Sequence, residues 1–272
     1  MITVPPTTNF GFFDEGRGEP VILLHSSLSS KRQWRKLQRL LEGRYRLLGL
    51  DLLGYGDTPP PAQTDGFSFS QEVDLVERLL ERVDGPVHLA GHSYGGAVAL
   101  KTALRHPHRA QSIYAHEPVL FALLKSEGRL AEWAEIEGMT TEAAQRIRLG
   151  RPEQAAQGFI NYWSGAGGWQ NIPAERKLAF TQAVLKIPLD VAAIFRDSDG
   201  LSAYKRLTMP TLLTAGDTGA QTARCVAELL GPALPAGSLR IVEGAGHMAP
   251  VADADRINTI IAEHLAAHPI RR

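Results

Sequence analysis

Short apolar runs that lack polar alternation constrain this chain more than anything else in it. They are Val21-Ile22-Leu23-Leu24, Leu47-Leu48-Gly49-Leu50, Val87-His88-Leu89-Ala90, Ser112-Ile113-Tyr114-Ala115, Thr211-Leu212-Leu213-Thr214 and Leu239-Arg240-Ile241-Val242. A strand with one wet face alternates apolar and polar residues. A strand covered by helices on both faces does not, and that is the signature of a parallel sheet. Helical patterns fill most of the intervals. Ser68-Phe69-Ser70-Gln71 has capping-box spacing. Val73, Val76, Leu79, Leu80 and Val83 then share a helix face that Gly85-Pro86 ends. Ile257, Ile260, Ile261, His264 and Leu265 repeat the spacing near the C-terminus. The expected fold is therefore α/β, a mostly parallel, doubly wound sheet with right-handed crossovers. Thr8 to Phe13 is expected to add an antiparallel strand at its edge.

One interval breaks this rhythm. About ninety residues separate Glu117 from the run at Thr211, where a crossover helix needs only about a dozen. Helical stretches fill it (Leu130 to Glu137, Thr141 to Arg148, Glu153 to Tyr162, Ala174 to Leu185), interrupted by Ser164-Gly165-Ala166-Gly167-Gly168. Long insertions in compact domains are often active-site lids. The expected organisation is a core of residues 1–118 and 207–272 and a helical cap of residues 119–206.

Composition removes several function classes. Lys+Arg and Asp+Glu both number 29, for a formal net charge of +0. The basic footprint of a nucleic-acid binder is missing, as is an electrostatic reason to seek an anionic membrane surface. No apolar run approaches the roughly 18–20 residues of a membrane span. Met1 to Phe13 is polar and proline-bearing, unlike a signal peptide. The single cysteine, Cys225, excludes an internal disulfide and a multi-cysteine zinc site, and reads as a small buried helix residue. No histidine has a convincing metal spacing. These observations point to a cytoplasmic monomer or homodimer acting on a small molecule, without metal or organic cofactor, nucleic acid or membrane.

The chemistry lies in Gly91-His92-Ser93-Tyr94-Gly95, a G-x-S-x-G match. Val87 to Ala90 is a strand directly before it, and Gly96 to Leu100 opens a helix directly after it. In this setting a sharp turn lifts the serine Oγ clear of the sheet. A serine hydroxyl needs a base to remove its proton. His247 is the best candidate, on the glycine-bearing loop Gly244-Ala245-Gly246-His247-Met248 after the last strand. His92 reads as a packing residue, and His106 and His108 as surface residues. Acyl transfer also needs N–H donors for an oxyanion. Tyr94 supplies one, and the loop His25-Ser26-Ser27-Leu28-Ser29-Ser30 is expected to supply another.

These segments together with Asp51-Leu52-Leu53-Gly54-Tyr55-Gly56 and Gly244 to Pro250 resemble the α/β-hydrolase superfamily, in its lid-bearing branch of esterases, lactonases, C–C hydrolases and haloalkane dehalogenases. The resemblance implies the α/β-hydrolase fold. It makes Ser27 the second oxyanion donor, with Ser26 in place of the usual glycine, and Asp51 a loop-shaping residue. Serine at position 93 disfavours dehalogenase and epoxide-hydrolase chemistry, for which similar enzymes use an aspartate. The family's usual acid position after Thr211 to Ala215 falls on Gly219, with Asp217 two residues early. Dehalogenases of this branch draw their acid from the end of the preceding strand, where this chain has Glu117-Pro118. The favoured triad is Ser93, Glu117 and His247, with Asp217 the other candidate acid, and Pro118 is expected to bias Glu117 to extended backbone. Leu120, Phe121, Trp163 and Met248 are candidate pocket residues. Leu124 and Trp169 belong to the same apolar set, which could equally be the cap's own core. The expected activity is a serine hydrolase cleaving an ester, lactone, thioester or activated C–C bond through an acyl-enzyme. The alternative is a non-catalytic small-molecule binding protein on the same fold.

Overall fold

The computed structural model describes residues 10–270. Its strands are β1 (Phe12–Gly16), β2 (Glu19–Leu24), β3 (Tyr45–Leu50), β4 (Val87–His92), β5 (Ala110–His116), β6 (Thr211–Gly216) and β7 (Gly237–Val242). They form one sheet in the order β1-β3-β2-β4-β5-β6-β7. Every neighbouring pair is parallel except β1 with β3. The antiparallel edge strand therefore exists, but it starts at Phe12, later than the sequence suggests; Thr8 lies outside the described residues. Its register is fixed by packing: a Cβ on Gly49 would lie 2.0 Å from the Phe13 ring. The Arg46–Asp14 ion pair at 2.7 Å adds a clamp across the same two strands.

The helices are α1 (Arg35–Leu41), α2 (Phe69–Leu80), α3 (Tyr94–Arg105), α4 (Ala122–Ser126), α5 (Leu130–Arg148), α6 (Pro152–Ser164), α7 (Ala174–Ala183), α8 (Ile187–Phe195), α9 (Leu201–Tyr204), α10 (Gln221–Ala233), α11 (Ala249–Ala252) and α12 (Ala254–Ala267). The missing polar alternation in β2 now has its physical cause. Val21 and Leu23 point to one face of the sheet, into a core with Trp34 and Leu37 and with Ile257 and Ile261 of α12. Ile22 and Leu24 point to the other, against Val76 of α2 and Val98 of α3. Both faces are covered, so all four residues are buried. Ser68 and Gln71 make the reciprocal capping box at the start of α2. Cys225 is buried on α10, and burial raises its thiol pKa to about 11.

The segment between β5 and β6 holds α4 to α9. The two stretches expected at Leu130 to Glu137 and Thr141 to Arg148 are one helix, α5, which runs through Gly138 without a break. Ala174–Phe195 is nearly continuous helix, and it is long and apolar enough by composition to cross a membrane. That corrects the expectation that no stretch approaches a span. Here its Lys186 and Asp190 are buried in ion pairs, which ties it to the rest of the chain.

Candidate active site

The loops that follow β2, β4, β5, β6 and β7 converge at the carboxyl ends of the strands, where open α/β sheets place their ligands. Ser93 ends β4 and opens α3, with φ 56° and ψ −117°. This strained conformation persists because its surroundings determine it. The Ser93 N–H donates to His116 O at 2.9 Å, and the Ala97 N–H donates to Ser93 O at 3.0 Å. The elbow also needs its glycines. A Cβ on Gly91 would lie 2.3 Å from Gly95 O, and one on Gly95 would lie 2.3 Å from Leu24 O.

Ser93 Oγ lies 3.0 Å from His247 Nε2, and His247 Nδ1 lies 2.7 Å from Glu117 Oε2. Glu117 is an acceptor, so Nδ1 carries the proton and the Nε2 lone pair faces the serine hydroxyl. Ser93, Glu117 and His247 are all buried. The other oxygen, Oε1, accepts from the Gly216 N–H at 2.8 Å. Burial pushes the Glu117 carboxyl up, but the hydrogen bond and charge of His247, with His116 and the Gly216 N–H, outweigh it and hold the group below its ordinary value. Its backbone is left-handed, with φ 43°, not extended as Pro118 predicts. The preference set by a following proline is overridden by three anchors, since the Glu117 N–H also donates to Thr214 O at 2.9 Å.

Asp217 does not reach His247. It accepts from the Gly244 N–H at 2.7 Å in an exposed position. Thr218 donates to Ala245 O through its hydroxyl (2.7 Å) and its N–H (3.0 Å). The loop that offers the other candidate acid here braces the histidine loop. Two buried imidazoles brace it from behind: His92 Nε2 donates to His247 O at 2.8 Å, and His116 Nε2 lies 3.3 Å from Gly246 O. His92, expected only to pack, is therefore a support for the site. Trp163 of α6 lies over His247, ring centroids 3.9 Å apart.

The early loop is equally fixed. Leu52 N–H donates to His25 Nε2 at 3.0 Å, so His25 Nδ1 donates to Ser26 O at 2.7 Å. Ser26 N–H donates to Gln33 Oε1 at 3.1 Å. These bonds hold Ser27 at the cavity wall even though Ser26 replaces the glycine. Asp51 accepts from the backbone N–H groups of Lys31 (2.6 Å) and Asp57 (2.9 Å), the loop-shaping role expected of it. Tyr94 is the first residue of α3, so its N–H has no acceptor within the helix.

Ser93 and Ser27 open into a cavity of about 350 Å³, counting its mouth. The segment between β5 and β6 supplies most of its wall, including Phe121, Trp163, Ile187 and Phe195. Of the candidate pocket residues, Phe121 and Trp163 are among those that line it. Leu120 and Met248 are not among its lining residues: Leu120 is fully buried in the main core, and Met248 packs against that core. Leu124 belongs to the same core and Trp169 to a separate cluster formed by the inserted segment and Leu28.

Sequence reading missed Asp190, which lines the cavity, and the partners behind it. Asp190 Oδ2 accepts from Ser27 Oγ and from Tyr55 OH, each at 2.6 Å. Lys186 pairs with Asp190 and, at 2.6 Å, with Glu72. A signal was available. Glu72 falls on the apolar stripe of α2, and Lys186 and Asp190 sit four apart in an otherwise apolar stretch. Among the described residues no group of His, Cys, Asp and Glu could hold a metal ion.

A sequence model of the alpha/beta hydrolase family matches residues 21–260. The chain belongs to that family. A putative 2-succinyl-6-hydroxy-2,4-cyclohexadiene-1-carboxylate synthase of Bacillus subtilis is 23% identical, the match covering 98% of each chain. A haloalkane dehalogenase of Sphingobium indicum is 28% identical over 50% of this chain and 45% of its own length. The chain thus spans less than half the length of that relative. The solved structure of an esterase from Exiguobacterium antarcticum superposes with a TM-score of 0.74 at 20% identity, covering 93% of this chain and 94% of the other. It shows that this alpha/beta hydrolase has the family's fold.

Burial also sets how this alpha/beta hydrolase responds to acid. It lowers the pKa of His25, His116 and His264 to about 4, that of His92 well below its ordinary value, and that of His88 as well. Below the unfolded-chain value of about 6.5 the unfolded state takes up protons that the folded state refuses. Stability is therefore complete above about pH 6.5 and falls as pH drops toward 4, by up to about 1.4 kcal/mol per pH unit for each such histidine. The melting temperature is expected to fall steadily over that window. A flat profile between pH 6.5 and 4 would contradict neutral burial of these imidazoles.

Proposed function

We propose that this chain is a serine hydrolase that cleaves a small, apolar carbonyl substrate, whether an ester, lactone, thioester or activated C–C bond, through an acyl-enzyme. The observation that carries the reading is the unbroken Ser93–His247–Glu117 hydrogen-bond chain at the wall of an apolar cavity. His247 Nε2 takes the hydroxyl proton as Ser93 Oγ attacks the carbonyl carbon. Glu117 holds the Nδ1 tautomer and stabilises the imidazolium that forms. The negative charge on the former carbonyl oxygen meets the N–H groups of Tyr94 and Ser27, and such donors contribute about 3–4 kcal/mol each. Tyr94 adds the positive end of α3. His247 returns the proton to the leaving group, and the same steps run again with water release the acid.

The segment of residues 119–206 acts in this reading as a lid. Trp163 over His247 shields the imidazole from bulk water, and Phe121 and Phe195 keep the acyl pocket dry. The leading test is steady-state hydrolysis of p-nitrophenyl butyrate, monitored over many enzyme equivalents. Continuous turnover is expected. A single burst of p-nitrophenol that stops at one equivalent would instead favour a binding protein that keeps the fold and loses the second half-reaction.

A further inference from the structure

Asp190 is a charged residue in a wall that is otherwise nearly apolar. The cavity's other lining residues are aliphatic or aromatic, apart from Ser27, Ser93 and Thr140. The Thr140 hydroxyl already donates to Ile136 O at 2.8 Å. Among the described residues no Lys, Arg or His lines the cavity. The cation nearest to them in the network, Lys186, is committed elsewhere. It pairs with Asp190 and Glu72 and is buried under the rings of Tyr55, Phe67 and Tyr94 at 4.9, 5.0 and 4.7 Å from their centroids.

The network behind the wall therefore has a fixed polarity. Two carboxylates share one ammonium group, and Asp190 is the one that borders the cavity. Its Oδ2 is saturated by Ser27 and Tyr55, while Oδ1 touches Lys186 without a well-aligned hydrogen bond. A substrate carboxylate entering here would lose its water, find no cation, and meet a like charge in a low-dielectric wall. An uncharged group loses far less on entering.

Resting on the serine-hydrolase reading above, we propose that this cavity takes the acyl part of the substrate and admits it only uncharged, with Asp190 as the specificity-determining residue. The substrate class is then a neutral short-chain ester, thioester or lactone, and acyl groups ending in a carboxylate are excluded. Asp190 also positions Ser27 through the 2.6 Å hydrogen bond to its hydroxyl, so rejection of a charged acyl group and support of the oxyanion loop reside in one side chain.

The test compares p-nitrophenyl pentanoate, mono-p-nitrophenyl glutarate, and the primary amide of the latter, which matches it in shape without the charge. Wild-type kcat/KM for the glutarate is expected to lie at least about a hundredfold below that for the amide. Asp190→Asn removes the like charge and leaves Lys186 with Glu72. It should narrow the glutarate-to-amide gap by at least about tenfold, even where its absolute rates fall because Ser27 is less well held. Equal wild-type kcat/KM for the glutarate and the amide overturns the proposal, and this comparison needs no variant to fold. A gap that stays the same in Asp190→Asn overturns the role of Asp190. Absence of Ser93-dependent turnover of all three esters removes the hydrolase reading itself, and this proposal with it.

Discussion

Replacing Ser93 with alanine is expected to lower kcat for a short-chain ester by a factor on the order of 10⁴ or more, in a protein that still folds. Among the described residues no other hydroxyl can take its place. Ser27 Oγ donates to Asp190, and Thr140 Oγ1 donates within α5. Among the described hydroxyls only Ser93 Oγ lies within reach of His247 Nε2, at 3.0 Å. The fold loses little, since alanine also fits between strand and helix and the backbone bonds that fix the turn do not involve the hydroxyl. The φ of 56° is strained for either residue. The residual rate that remains comes from the oxyanion donors alone. Circular dichroism and melting on the same preparation separate loss of chemistry from loss of fold.

Glu117→Gln is expected to lower kcat on the order of 10³–10⁴-fold, while Asp217→Asn changes it less than about threefold. The wild-type carboxylate accepts two hydrogen bonds, one per oxygen, from Gly216 N–H and His247 Nδ1–H. Glutamine has one acceptor oxygen and one donor amide for those two donors. If its oxygen faces Gly216, its NH₂ faces His247 and selects the tautomer that cannot accept the serine proton. If its oxygen faces His247, the NH₂ opposes the Gly216 N–H, and a buried unsatisfied donor costs about 1–3 kcal/mol. In both cases the charge that stabilises the imidazolium is gone. Asp217 sits at the surface on the Gly244 N–H, so its loss loosens the far end of the histidine loop and leaves the triad intact. The reverse pattern, an inactive Asp217→Asn and a nearly normal Glu117→Gln, would move the acid to β6.

Much of this was legible in the residues. Parallel strands buried on both faces lose polar alternation, so the β2 to β6 runs announced themselves. The elbow was readable because its glycines are demanded by backbone atoms 2.3 Å from where a Cβ would sit. The pairing of Glu117 with His247 was suggested by position, since Glu117 directly follows β5 and precedes the long insertion. Other features depended on contacts across the chain. Nothing local says that Leu120 turns into the core while Phe121 faces the cavity, because adjacent residues in a short connection have no period to follow. The left-handed backbone of Glu117 contradicts a sound local rule, because anchors from β6 and the histidine loop decide it. The Lys186–Asp190–Glu72 network joins residues separated by 114 positions. Its local traces are a charge on the apolar stripe of α2 and a Lys and an Asp four apart in an apolar stretch, and neither trace names the other as its partner.

The central claim is that Ser93 carries the acyl group between two half-reactions. Rapid acid quenching during steady-state turnover of p-nitrophenyl butyrate, followed by peptide mass spectrometry, tests it most directly. The account predicts a butyryl group on the peptide holding Ser93, built up within the first turnover, decaying when substrate is exhausted, and missing in Ser93→Ala. Continued turnover with no acylated Ser93 at any quench time, or with the butyryl group on another residue, would contradict it.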